Sequence, residues 1–393
     1  MNPHILNRDV QNFIADHLEK NLDRTILKGS PFSEVSMMEL AQQIESKNRC
    51  RKKLPTWFRE KGLVFPPRLN IEQASSERAA EYKASLVSGN ILADLSGGFG
   101  VDSFFFSKRM QHVIHCEIDP DLHTIAKHNF LKLEAENITC VNQDSMDYLK
   151  QSDQTFEWIY LDPGRRHNQK DRVFQLEDCS PNILENLDLI LSKTDQVLLK
   201  LSPFLDIASA IDQLKPVAEV HVLAVDNEVK ELLFLLRKGT ATDIPIIAVN
   251  ITSEQKDIMS SKFKTDVSKP LFGPAGVFLY EPNAAILKAG LFNAVAIKYH
   301  LTKLHPNSHL YTSDDLIPFP GRRFKVKQQI KYSPKKIKRQ LGLTKANIST
   351  RNFHESVAQI RKRTGLKEGG TDYLFFTTDH SGHPIVLVCD KAS

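Results

Sequence analysis

The sequence predicts a doubly wound α/β domain in which parallel strands are closed by an antiparallel hairpin, preceded by a helical cap and followed by small α+β modules. Three observations carry that expectation. A strand, turn and helix pattern repeats from Ile91 onward, a glycine-rich turn follows the first of those strands, and acidic residues stand at the ends of the next two. Short continuous β-rich runs separated by helices indicate parallel strands covered on both faces.

The units follow in order: ILADL and a helix through Phe104 to Met110; VIHCEI and a helix from Asp121 to Leu133; ITCVNQ and a short helix. Next come WIYLDP with a helix near Asn182 to Leu191, and QVLLKLSP with a helix from Ile207 to Leu214. HVLAVDNE and ELLFLLR then read as two strands joined by a tight polar connection, hence antiparallel. Upstream, Val10, Phe13, Ile14 and Leu18, then Val35, Met38, Leu40 and Ile44, have helical spacing. That region ends in RCRKKLPTWFREKGLVFPPRLN, where Pro55, Pro66 and Pro67 break helices and Trp57 and Phe58 are expected to tuck onto the next domain. Beyond about Thr240 the alternation is lost. The expected division is residues 1–70 as a helical region, 71–240 as the α/β domain, 241–320 as a small α+β linker of ferredoxin-like type, and 321–393 as a basic module.

The chemistry concentrates at the carboxyl ends of the strands. Asp94-Leu95-Ser96-Gly97-Gly98-Phe99-Gly100-Val101-Asp102 follows a strand and opens a helix, so glycines there would let the backbone pass close to a ligand. Alone, such a turn would serve any nucleotide, or close packing. Glu117 lies 23 residues after Asp94, at the end of the second strand, where a carboxylate can accept both hydroxyls of a ribose. Gln143-Asp144 ends the third strand, and Asp144 could accept from an adenine amino group. Either acid by itself would more often be a cap or loop residue. Three such residues on successive strand ends form the edge at which open α/β sheets bind ligands.

The run DLSGGFGVDS, Glu117, Asp144 and the fourth-strand motif Ile159-Tyr160-Leu161-Asp162-Pro163-Gly164-Arg165-Arg166 resemble class I S-adenosylmethionine (SAM)-dependent methyltransferases, with their Rossmann-like sheet. More closely they resemble the bacterial branch with a C-terminal THUMP-like domain, with EQASSERAAEYKA upstream and LEDCSPNI downstream in their expected places. The resemblance covers most of the chain from about Arg51. It implies SAM as cofactor, with Asp94, Gly98 and Gly100 flanking the methionine part, Glu117 on the ribose, Asp144 on the adenine, and Ser96, Gly97 and Asp102 also among the cofactor-binding residues. Asp162, Pro163, Arg165 and Arg166 would then face the methyl acceptor, Asp162 orienting it or accepting its proton. Two departures mark this chain. Ser96 stands where the commonest pattern has Gly, and Asp-Pro-Gly-Arg-Arg replaces the Asp or Asn, Pro-Pro, aromatic motif of base amino-group methyltransferases. A guanidinium can hold a phosphate or carboxylate bidentately but does not clamp a base as an aromatic ring does.

Charge is unevenly spread. From Gly321 to Glu368 there are 15 Lys and Arg against two acids, a local +13, whereas the whole chain is only +5. These cations are interleaved with Phe324, Tyr332 and Phe353, which suggests an RNA-binding surface in which aromatics stack on unpaired bases. A solvated lysine-rich face would have the same composition. The leading expectation is methylation of structured RNA, tRNA or rRNA, with the basic domain delivering substrate. The alternatives are a protein or small anionic metabolite as acceptor, or a non-catalytic RNA-binding protein on the same scaffold. Five dispersed cysteines give no metal or disulfide pattern, and Cys179 is a poor candidate nucleophile because free cysteines are usually buried. No long apolar run or signal-peptide pattern is present, which predicts a cytoplasmic protein without membrane or metal.

Overall fold

A computed structural model describes residues 1–27, 29–165, 176–239, 243–264 and 269–392. The chain divides into two compact units, Met1–Ala218 with Leu232–Ala241, and Glu219–Glu231 with Thr242–Ser393.

The first unit is built on strands β1 (Gly89–Asp94), β2 (Met110–Cys116), β3 (Ile138–Val141), β4 (Trp158–Leu161) and β5 (Gln196–Leu201), together with the unit's part of β7. The strand β7 spans Glu228–Arg237 and follows β6, Val217–Val225. Their order is β3-β2-β1-β4-β5-β7. Pairing is parallel from β3 to β5, as the uninterrupted apolar runs predict, and antiparallel between β5 and β7. The chain moves outward from β1 to β3 and then returns to the other side of β1 with β4. This reversal opens a crevice beyond the carboxyl ends of β1 and β4, where such sheets take ligands.

Helices α1 (Arg8–Asp16), α2 (Met37–Lys53) and α3 (Glu77–Ala84) precede the sheet, and α4 (Val101–Ser107), α5 (Pro120–Lys132) and α6 (Ser145–Gln151) connect its first strands. The α2 helix starts at a Ser36–Glu39 capping box, which satisfies two otherwise free N–H groups. Residues 1–70 share the compact unit of the sheet. Trp57 is fully buried, with Phe104 edge-on at 4.9 Å and Phe99 and Phe105 each at 6.2 Å. The backbone of Val64 exchanges two hydrogen bonds with the side chain of Asn129 on α5. The aromatics of that segment are thus core and anchor, while Arg51 lies over the ring of Phe58.

Asp226 and Asn227 link β6 to β7 with φ of 52° and 63°, the two left-handed residues that a tight hairpin turn requires. In the second unit β8 (Pro245–Ile251) runs parallel to β6, and β9 (Lys256–Lys262) is antiparallel to β8. This extension lies past Thr240, where the alternation of the sequence gives no such expectation. Strands β10 (Phe278–Pro282), β11 (Thr302–Lys303), β12 (Tyr311–Ser313), β13 (Gly321–Lys331), β14 (Asn347–Arg351), β15 (Asp372–Thr378) and β16 (Pro384–Lys391) form a second sheet, ordered β11-β12-β10-β13-β16-β15-β14. Pro282 pairs with Gly321 and Phe278 with Lys325, so this sheet runs continuously across position 320. Two apolar clusters take alternate residues of β16: Ile385, Leu387 and Cys389 in one, Val386 and Val388 in the other. Among the described residues no helix is long and apolar enough to cross a membrane.

Candidate active site

The loop after β1 is held from behind. Asp94 is fully buried, and its carboxylate accepts from the Ser96 N–H at 3.0 Å, the Ser96 hydroxyl at 3.2 Å and the Ser103 hydroxyl at 2.5 Å. Burial pushes its carboxyl up to about 7, against the Ser103 hydroxyl, which favours the anion. His115 at the end of β2 meets the same Ser103 oxygen through Nδ1 at 2.9 Å, and burial lowers its pKa to about 3. Ser103 has one proton. If it donates to Asp94, a neutral His115 must donate from Nδ1, which leaves Nε2 as an enclosed acceptor without a partner.

Each glycine of the loop has its own reason. A Cβ on Gly97 would clash with the His115 ring, so packing against the protein by itself requires glycine there. Gly100, at φ +85°, caps α4, and a Cβ there would run into the ring of Phe130. Gly98 differs. At φ +56°, a Cβ added to it would have only the Ser96 carbonyl within 4 Å, and its N–H donates to Glu117 Oε2 at 2.7 Å. The Ser96 hydroxyl accepts from the Asp162 N–H at 2.7 Å, tying the β1 loop to the end of β4, a bridge that glycine at position 96 could not make.

Three of the expected site residues turn toward the protein interior. Asp94, expected against the methionine part, presents no surface and shapes the loop from inside. Asp102 is likewise enclosed: its Oδ2 accepts from Lys83 Nζ at 2.9 Å, Tyr160 OH at 2.8 Å and Ser75 Oγ at 2.9 Å. Burial opposes its ionisation, but Lys83 and then Lys200 outweigh burial and hold it below the usual carboxylate range. Gly97 faces His115. For the two carboxylates the physical reason is the same, since a buried polar group must find hydrogen-bond partners within the protein.

The remaining residues lie at or just beyond the carboxyl ends of their strands. Glu117 is half-buried, its Oε1 accepting from the Asp119 N–H at 2.8 Å while its other oxygen holds Gly98. Beside it Ile118 is 66% exposed, an uncovered aliphatic face. Asp144 is exposed and caps α6, its Oδ1 accepting from the N–H groups of Met146 and Asp147, so Oδ2 stays available. Asp162 forms an ion pair with Lys200 near the end of β5, and Pro163 is half-buried. Lys200 is not among the residues the sequence singles out, although a lysine inside the apolar run QVLLKLSP is its signal. The same holds for Lys83 in EQASSERAAEYKA, which is fully buried. The Arg165 side chain and Arg166 lie outside the described residues. Cys179 is buried and forms no disulfide. No group of three or more His, Cys, Asp or Glu that could hold a metal occurs among the described residues.

The crevice is thus rimmed by an open glycine backbone, two carboxylates with spare lone pairs and an exposed aliphatic face, which suits a nucleoside with a charged tail. Comparison with known proteins settles the family. A crystal structure of a putative methyltransferase from Porphyromonas gingivalis W83 is 31% identical, covers 100% of both chains and superposes with a TM-score of 0.90. The chain belongs to the class I SAM-dependent methyltransferases with a C-terminal THUMP-like domain. A family model described as THUMP domain-like matches residues 321–391, and one described as a ferredoxin-like domain matches 278–320. An uncharacterized SAM-dependent methyltransferase of Mycobacterium tuberculosis H37Rv is 23% identical over 310 residues, 76% of this chain and 80% of its own. Ribosomal RNA small subunit methyltransferase J of Francisella tularensis subsp. novicida is 25% identical over 173 residues, 42% of this chain and 68% of its own. The methyltransferase uses SAM as methyl donor.

Proposed function

We propose that this methyltransferase modifies structured RNA, and that its C-terminal module supplies the grip on the phosphate backbone. The supporting observation is the fate of the basic residues of 321–368. Several are spent internally: Arg322 and Arg351 converge on Glu281, Arg363 pairs with Glu355, and Lys327 with Asp372 and Asp390. Lys335, Lys336, Lys338 and Arg339, around the short helix Ile337–Leu341, are exposed and have no carboxylate partner among the described residues. Unneutralised cations gathered on one helix attract a polyanion. The expected aromatic stacking does not go with them. Phe324 is fully buried, Tyr332 is 7% exposed with its hydroxyl on Glu355, and Phe353 packs on the same core. Affinity then comes from phosphate contacts, and selectivity for particular bases must arise elsewhere. The similarity to a ribosomal RNA methyltransferase over 173 residues is in keeping with this proposal.

Within the crevice, the backbone of Ser96 to Gly98 would lie along the methionine part of SAM, Glu117 would accept from the ribose hydroxyls, and Ile118 and Asp144 would receive the adenine. SAM supplies an activated methyl group on a sulfonium, so the protein's task is chiefly alignment and exclusion of water. Asp162, set by Ser96 and Lys200, orients the acceptor. The direct test incubates the protein with labelled SAM and separated RNA, protein and small-molecule pools. Label in RNA supports the proposal, and label confined to protein or metabolites rejects it.

A further inference from the structure

The second unit contains a cavity of about 610 Å³ that takes no part in the SAM crevice, lined among others by Lys262, Lys264, Phe292, Asn293, Lys303 and His309. Lys303 is only 2% exposed, yet no carboxylate pairs with it among the described residues. Its ammonium reaches the Pro306 carbonyl at 3.1 Å and Asn293 Oδ1 at 3.4 Å, with the rings of Phe272, Phe292 and Tyr311 at 5.9 to 6.0 Å. Neutral oxygens and ring faces compensate a buried ammonium only in part, and burial lowers its pKa accordingly. Lys83, by contrast, is equally buried but has Asp102 as its counter-ion. His309 adds a second unsatisfied group, because its Nδ1 is enclosed without a partner while its ring stacks on Phe292 at 3.6 Å. Lys264 is exposed at the margin, whereas Lys262 holds Asp243 at 2.7 Å.

We propose that this cavity binds a phosphoryl group carried by a nucleotide. Among the described residues that line it there is no acid to oppose an anion. Ammonium and amide donors without an arginine fork suit a compact tetrahedral oxyanion better than the planar, bidentate pairing of a carboxylate. The volume exceeds that of a bare phosphate, and the stacked Phe292–His309 pair provides a flat apolar wall for a base. The carrier is either a free mononucleotide or the phosphorylated end of a polynucleotide. The site is independent of whether RNA is the methyl acceptor.

Calorimetry on the full chain at fixed ionic strength tests this with inorganic phosphate, AMP, a 5′-phosphorylated hexanucleotide and its 5′-hydroxyl counterpart. Saturable 1:1 binding of a phosphorylated probe is expected, weakened at least tenfold by Lys303→Met and severalfold by Lys264→Ala, with SAM affinity unaltered. AMP binding as tightly as the hexanucleotide identifies the free nucleotide; tighter binding of the phosphorylated hexanucleotide than of its 5′-hydroxyl form identifies a chain end. If the parent protein binds none of these probes, the proposal is wrong. It is equally wrong if folded Lys303→Met binds them as the parent does, which would make Lys303 a clip for the turn at Pro306. Should Lys303→Met not fold, a double Lys264→Ala, Asn293→Ala variant decides: weakened binding supports the site, and unchanged binding overturns it.

Discussion

Asp94 and His115 share one hydroxyl and titrate in opposite senses. Asp94 is raised from its ordinary 3.8 to about 7, so its stabilising effect is full below 3.8 and is lost as pH climbs through 7. His115 is lowered from 6.5 to about 3; its effect is full above 6.5 and is lost as pH falls toward 3. Between roughly 4 and 6.5 the two dependences cancel. Asp94→Asn is therefore expected to expose the histidine, so that stability declines on acidification relative to the parent by up to about 1.4 kcal/mol per pH unit in that window. Denaturant unfolding at several pH values checks it, and parallel profiles for the two proteins would refute the pairing. At the rim, Glu117→Ala is expected to weaken SAM binding by about 1 to 3 kcal/mol, since hydrogen bonds to a charged group are lost. Calorimetric titration measures it, and unchanged affinity in a folded variant removes Glu117 from the ribose. Asp162→Ala should keep SAM affinity and lower single-turnover methyl transfer, because an orienting contact acts mostly in the transition state. Transfer at the parental rate would leave Asp162 with only its pairing to Lys200.

Between elements, an ion pair joins α3, upstream of the sheet, to α4 behind the glycine loop. Lys83 and Asp102 are supported there by Ser75 and by Tyr160 on β4. Lys83→Ala would leave Asp102 charged and without its counter-ion, a loss of about 3 to 5 kcal/mol in cases of this kind. A shifted urea midpoint would show it, whereas a midpoint within error of the parent would mean that the pair is dispensable. The three-residue span Ser96 to Gly98 shows how closely packing and site geometry are interwoven. Gly97 is dictated by the His115 ring, Ser96 by the end of β4, and only Gly98 opens outward.

For the molecule as a whole, a surface grip on phosphate should appear as a salt dependence. Replacing Lys335, Lys336, Lys338 and Arg339 with Ala is expected to make the log-log salt slope of RNA binding shallower, by about 0.7 to 0.9 per lost phosphate contact. SAM affinity should not change. Filter binding over a salt series checks this, and equal slopes for parent and variant would move the RNA contact elsewhere. The local excess of +13 overstates the free charge because Glu281, Asp372 and Asp390 lie outside the basic window and are brought to it only by strand pairing. From the sequence alone followed the parallel strands and the β6–β7 hairpin, since apolar periodicity and turn residues are local properties of the chain, and the family, through the resemblance of its motifs. Which acids face the crevice and which face the core did not follow. Nor did the ion pairs of Lys83 and Lys200 or the burial of Phe324 and Tyr332, because side-chain partners distant in sequence meet only when the sheet order is set.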